Sequence, residues 1–109
     1  MKFLEGQTAF VTGGSRGMGK AIALHLAGAG AKVAVCARRE GDLEAAGREL
    51  RAIVPDCLAL PLDISRAEDV LAGVERIEAT LGPIDILINN AGIFRNGPVW
   101  EMTADEWDA

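Results

Sequence analysis

The sequence predicts an α/β fold: a doubly wound parallel sheet of four strands, in spatial order 3-2-1-4, with helices on both faces. Three observations carry this expectation. Short apolar runs alternate with longer stretches of helical period along the 109 residues. The second run, Lys32-Val33-Ala34-Val35-Cys36-Ala37, is apolar at nearly every position, as a strand covered on both faces requires. Thr12-Gly13-Gly14-Ser15-Arg16-Gly17-Met18-Gly19 directly follows the first run. Strand, glycine-rich turn and helix in that order build a phosphate cradle from backbone N–H groups at a helix N-terminus.

Each element has its own signal. Residues 7–12 read as strand one, and residues 17 to about 29 as a helix with Met18, Ile22, Leu26 and Ala29 on its inner face, ended by Gly28-Ala29-Gly30. Residues 32–37 form strand two. A second helix is expected from about 41 to 53, with Leu43, Ala46, Gly47, Leu50 and Ile53/Val54 as its apolar stripe and Pro55 as its stop. Residues 58–60 form a short strand three. Ser65-Arg66-Ala67-Glu68 has capping-box spacing and predicts a third helix, with Val70, Val74, Ile77 and Leu81 inward and Gly82-Pro83 at its end. Residues 84–88 form strand four, and Thr103-Ala104-Asp105-Glu106 resembles the cap of a helix that barely begins. Right-handed crossovers make the sheet parallel. Residues 1–109 parse as one compact unit without linkers or internal repeats.

Composition narrows the function classes. Half the residues are apolar, enough for a real core, and the formal net charge of −5 argues against a nucleic-acid or anionic-membrane partner. No apolar stretch is as long as a membrane span, and Met1-Lys2-Phe3-Leu4-Glu5-Gly6 lacks a signal-peptide core, so a cytoplasmic protein is expected. Cys36 and Cys57 stand singly in apolar surroundings and read as reduced core thiols. His25, inside the first helix, reads as a satisfied helix histidine, and Trp100 and Trp107 as packing residues. Glu101, Asp105, Glu106 and Asp108 suit a first helical turn and not a metal site, and no metal ligand is assigned.

The turn's glycines, Gly13, Gly17 and Gly19, have G-x-x-x-G-x-G spacing. One permits a tight exit from the strand, one lets the backbone approach a pyrophosphate, and one lets helix and strand pack closely. Thr12 and Ser15 add hydroxyls that can bond the turn or a phosphate. The bland alternative is a glycine-rich connection without a ligand.

This motif resembles the T-G-x-x-x-G-x-G cofactor motif of short-chain dehydrogenases/reductases. Asn89-Asn90-Ala91-Gly92 after strand four resembles the family's N-N-A-G motif, and Asp63 after strand three its acidic position beside the adenine. The resemblance covers the whole chain and implies the N-terminal part of a longer Rossmann-type enzyme. Most similar are the 3-oxoacyl-carrier-protein reductase and sugar or alcohol dehydrogenase branches. It implies a cofactor site of Gly13, Ser15, Arg16, Gly17, Met18, Gly19, Arg38, Asp63, Ile64, Asn90, Ala91 and Gly92, with Asn89 structural.

The end of strand two selects the cofactor. An NAD site needs a carboxylate there for the ribose hydroxyls. Here Ala37 is followed by Arg38 and Arg39, whose guanidinium groups suit a 2′-phosphate, and Arg16 could close on it from the glycine turn. NADP(H) is therefore expected over NAD(H).

The family's reductases also use a serine, a Tyr-x-x-x-Lys pair and an asparagine on the helix after strand four. This chain has no tyrosine, its lysines are Lys2, Lys20 and Lys32, and the asparagine's helix is cut off at Ala109, so no catalytic residue is assigned. The expected activity is interconversion of a small-molecule carbonyl and alcohol by hydride transfer. This chain would supply the cofactor site, would be inactive alone and would be a homo-oligomer at full length. Two alternatives are a non-catalytic nucleotide-binding module or subunit, and a site for another adenosine ligand such as S-adenosylmethionine, which Arg16, Arg38 and the Asn-Asn-Ala-Gly turn disfavour. Strand four would leave an apolar edge that invites pairing with another chain.

Overall fold

Seven elements alternate along the chain in a computed structural model that describes residues 3–14, 17–38 and 40–89. They are β1 (Thr8–Thr12), α1 (Gly17–Gly28), β2 (Lys32–Ala37), α2 (Glu40–Arg51), β3 (Leu58–Pro61), α3 (Ala67–Leu81) and β4 (Ile86–Asn89). The strands form one sheet in the order β3-β2-β1-β4, and every pairing is parallel. Thr12 lies level with Cys36 on one side and Asn89 on the other, so the C-terminal ends of three strands finish together.

Alternation along the strands divides the core into two layers. Ala9, Val11, Val33 and Val35 pack with Ala23 and Ala27 of α1 and Leu43 and Leu50 of α2. Phe10, Ala34, Cys36 and Leu60 face the other way, against Ile77 and Leu81 of α3. This is the doubly wound arrangement that the sequence predicts.

The first helix departs from its expected stripe. Its buried residues are Gly19, Ala23 and Ala27, one position on from the larger Met18, Ile22 and Leu26. Met18 is 66% exposed. Small side chains let α1 lie close on the sheet, so the size of the gap, and not hydrophobicity alone, selects the inner face. In α2 the expected Leu43, Ala46, Gly47 and Leu50 are buried, whereas Ile53 lies past the helix end and is exposed. In α3 Gly73 joins Ile77 and Leu81 on the buried side; a Cβ there would come within 2.6 Å of Leu62 Cδ2.

Two element starts differ from expectation. Ser65 does not cap α3: the N-cap is Arg66, without a side-chain cap bond, because the Ser65 hydroxyl is committed to Asp63. The fourth strand begins at Ile86 and not at 84, because the Asp85 carboxylate takes the Thr8 N–H that a ladder carbonyl would otherwise accept. The N-terminal strand ends are stitched further. Leu81 O accepts from both Thr8 Oγ1, at 3.0 Å, and Lys32 Nζ, at 2.5 Å, which caps the C-terminal end of α3. Among the described residues no helix is long and apolar enough to cross a membrane. The expectations for Arg39, Trp100, Trp107 and the acidic residues from Glu101 to Asp108 fall outside the described residues.

Candidate nucleotide site

The glycine turn leaves β1 in the centre of the sheet. Gly13 adopts φ +67°, in the left-handed region, and its N–H donates to Cys36 O at 3.0 Å, so the chain turns sharply while still tied to β2. Gly14 is buried, and a Cβ on it would sit 2.5 Å from Val35 Cγ1. Gly14, which the spacing argument did not single out, thus meets the sheet tightly. The doublet Gly13-Gly14 was visible in the sequence, but nothing in the motif's spacing ranked its second glycine.

Gly17 opens α1 with φ +62°, and among the described residues no atom beyond its chain neighbours and the backbone of its own helix lies within 4 Å of where its Cβ would be. The backbone there is bare on the side a side chain would cover. Met18 is exposed beside it and Gly19 is buried under the helix. The first turns decide what this helix end can bind. Glu40 and Asp42 stand in the first turn of α2, and Glu68 and Asp69 in that of α3, whereas α1 has no acidic residue in its first turn. The positive ends of α2 and α3 are answered by their own carboxylates. Among the described residues α1 has no such carboxylate, and its N-terminus fits an anionic phosphate.

The adjoining strand ends carry a charge pair. Leu62 N–H donates to Ala37 O at 3.2 Å, which brings the exit of β3 beside the exit of β2. Arg38 Nη1 then lies 3.9 Å from Asp63 Oδ2. The other carboxylate oxygen, Oδ1, accepts from Ser65 N at 2.9 Å and Ser65 Oγ at 2.6 Å. Asp63 thus forms an Asx turn and faces Arg38 at once, so its structural and binding readings do not exclude each other. The Ser65 hydroxyl, then the Ser65 N–H, with Arg38 and Arg66 adding, hold the Asp63 carboxyl below its ordinary value, and it is ionised at neutral pH. Ile64 is half-buried against the α3 layer.

Asn89, at the end of β4, accepts a hydrogen bond on Oδ1 from Thr12 Oγ1 at 2.9 Å and so ties the two strands that border the turn. Cys36 lies buried just below the turn, where burial pushes its thiol up to about 11. A thiol so raised is a packing residue and not a nucleophile. His25 is exposed on α1. Ser15, Arg16, Asn90, Ala91 and Gly92 fall outside the described residues. The structure therefore places Gly13, Gly17, Met18, Gly19, Arg38, Asp63 and Ile64 of the expected set, on adjoining segments that follow β1, β2 and β3.

A family model described as short chain dehydrogenase matches residues 7–109. A short chain dehydrogenase of Pseudocercospora fijiensis is 45% identical over 102 residues, which are 94% of this chain and 33% of that protein. A 3-oxoacyl-[acyl-carrier-protein] reductase of Staphylococcus aureus is 39% identical over 103 residues, 94% of this chain and 42% of that protein. The crystal structure of a short chain dehydrogenase from Burkholderia cenocepacia in complex with NADP superposes with a TM-score of 0.78 at 40% identity, covering 96% of this chain and 43% of that one. The chain thus spans about two fifths or less of the length of these curated relatives.

Proposed function

Because the chain belongs to the short chain dehydrogenase family, we propose that residues 1–109 form the NADP(H)-binding part of an oxidoreductase that interconverts a small-molecule carbonyl and an alcohol. The observation that carries the cofactor preference is the pair at the adjoining strand ends. β2 ends in Ala37, which has no carboxylate to meet a ribose hydroxyl pair, and the next residue, Arg38, stands beside Asp63. A guanidinium there attracts a 2′-phosphate that a carboxylate would repel. The NADP bound by the Burkholderia relative supports the same reading.

When bound, the cofactor carries the hydride. This chain's residues hold and orient it. The α1 N-terminus and the backbone of Gly13, Ser15, Gly17, Met18 and Gly19 would take the pyrophosphate. Arg38 and Arg16 would take the 2′-phosphate. Asp63 and Ile64 would meet the adenine, and Asn90, Ala91 and Gly92 would line the ribose. The family's Tyr-x-x-x-Lys acid and base are not among residues 1–109, which contain no tyrosine. Turnover is therefore expected only where a further segment supplies them, within a longer, homo-oligomeric fold.

Fluorescence titration with NADPH and NADH tests the cofactor reading. NADPH is expected to bind more tightly, and Arg38→Asp to weaken NADPH binding by roughly tenfold while sparing NADH. Equal affinity for the two, unaffected by that substitution, would sink it. A second reading is a nucleotide-binding module without catalysis. A coding sequence that continues into a serine and a Tyr-x-x-x-Lys pair rejects that module, and carbonyl-dependent oxidation of NADPH by the 109-residue chain alone would overturn the expectation that it is inactive.

A further inference from the structure

Ser65 has no role in the function just described, and its hydroxyl does not serve the helix it precedes. The α3 N-cap is Arg66, and no side chain caps it. Both Ser65 donors instead converge on one atom, Asp63 Oδ1, from Oγ at 2.6 Å and from N at 2.9 Å. That convergence fixes the carboxylate plane and occupies one oxygen. It leaves the other, Oδ2, facing Arg38 Nη1 at 3.9 Å. At this separation the guanidinium is steered but not locked, because the contact is longer than a hydrogen bond. Its remaining N–H groups are uncommitted to Asp63, and a guanidinium carries five donors in all.

We propose that Ser65 is a positioning residue for 2′-phosphate selectivity, acting through the Asp63 carboxylate to hold the Arg38 guanidinium at the exit of β2. This inference rests on the NADP(H) reading above and adds to it a residue that would touch no part of the cofactor. The physical benefit is preorganisation. Arg38 is 78% exposed and carries a long, rotamer-rich side chain, so part of the cost of ordering it on a phosphate is met before the ligand arrives. A carboxylate at hydrogen-bond distance would compete with the phosphate for the same N–H groups. One held 3.9 Å away by its bonds to Ser65 orients the guanidinium with less competition.

The test is the ratio of NADH to NADPH dissociation constants in the full chain. Ser65→Ala is expected to lower the ratio roughly two- to fivefold, the worth of one exposed charge pair, mainly by weakening NADPH. Ser65→Thr keeps the hydroxyl and is expected to keep the ratio. In an Asp63→Ala background, Ser65→Ala is expected to change the ratio no further, because the residue it acts through is gone. A lower melting temperature with an unchanged ratio would make Ser65 merely structural and overturn the proposal. So would a Ser65→Ala effect that persists in the Asp63→Ala background. If the unsubstituted chain itself fails to prefer NADPH, the cofactor reading fails first and takes this inference with it. That outcome is distinct from a selective parent that Ser65→Ala leaves untouched.

Discussion

The most exacting perturbation of this turn is a single methyl group on Gly14. Its φ is not in the left-handed region, so an alanine meets no backbone penalty there and any cost is steric. The added Cβ would lie 2.5 Å from Val35 Cγ1, 2.9 Å from Val35 Cβ and 3.3 Å from Val11 O. Rotating Val35 would remove only the first contact, at an off-rotamer cost of about 1 kcal/mol. The second is to an atom fixed by the backbone of β2, which is hydrogen-bonded on both sides with Val35 level with Val11 and Ala59. Overpacking at such a site costs about 2 kcal/mol, and a domain of this size loses roughly 4–8 °C per kcal/mol. Gly14→Ala is therefore expected to lower the melting temperature by about 8–16 °C, followed by circular dichroism at 222 nm. Gly28→Ala is the control: that Cβ has no atom within 4 Å, and its φ is likewise not in the left-handed region. A Gly14→Ala protein that melts within about 2 °C of the parent would refute the reasoning, since that is at most half the shift expected of even 1 kcal/mol.

Two further outcomes follow from the same structure. Gly17→Ala meets open space but must hold φ +62°, so it is expected to cost about 1 kcal/mol of stability and, by placing a methyl on the bare backbone of the α1 N-terminus, to weaken NADPH more than it lowers the melting temperature. Cys36 has a folded-state pKa raised from 9.0 to about 11, so the folded state keeps its proton where the unfolded thiol has lost it. The stability it contributes is intact below about pH 9 and is lost as pH rises through that window, and Cys36→Ser should show a shallower decline over the same range in urea titrations.

Much of the fold was legible because period and punctuation agreed. The apolar run at 32–37, covered on both faces, the stripe of Leu43, Ala46, Gly47 and Leu50, and the glycine-proline stop after Leu81 each state a local preference that the sheet then satisfies. The first helix was legible as a helix but not in its facing. Periodicity finds a stripe at every offset, and here the fully buried face is Gly19, Ala23 and Ala27, with Ile22 and Leu26 only half-buried at its flank and Met18 exposed. At the site, residue types showed which groups could bind a nucleotide. They did not show that Ser65 would serve Asp63 in place of the helix cap. Both uses satisfy the same hydroxyl, and only the strand exits decide between them.

The sheet separates what stabilises it from what would bind. At the N-terminal ends of the strands the polar groups are paired with one another. Thr8 N–H meets the Asp85 carboxylate, Asp85 N–H meets Thr8 O, and Leu81 O accepts from Thr8 and Lys32. At the C-terminal ends Thr12 and Asn89 are paired as well, but some groups there are not committed to one another. The α1 N-terminus has no carboxylate of its own, Gly17 leaves its backbone bare, and Arg38 is steered by Asp63 without a direct hydrogen bond. Donors left unspent by the fold are what an anionic ligand needs, and an open α/β sheet offers them at these strand ends. Gly14 stands where the two regimes meet. Its contact with Val35 belongs to the core and its neighbours in the chain belong to the site, which is why one methyl group there tests whether the turn's shape is set by packing or by the ligand it would hold.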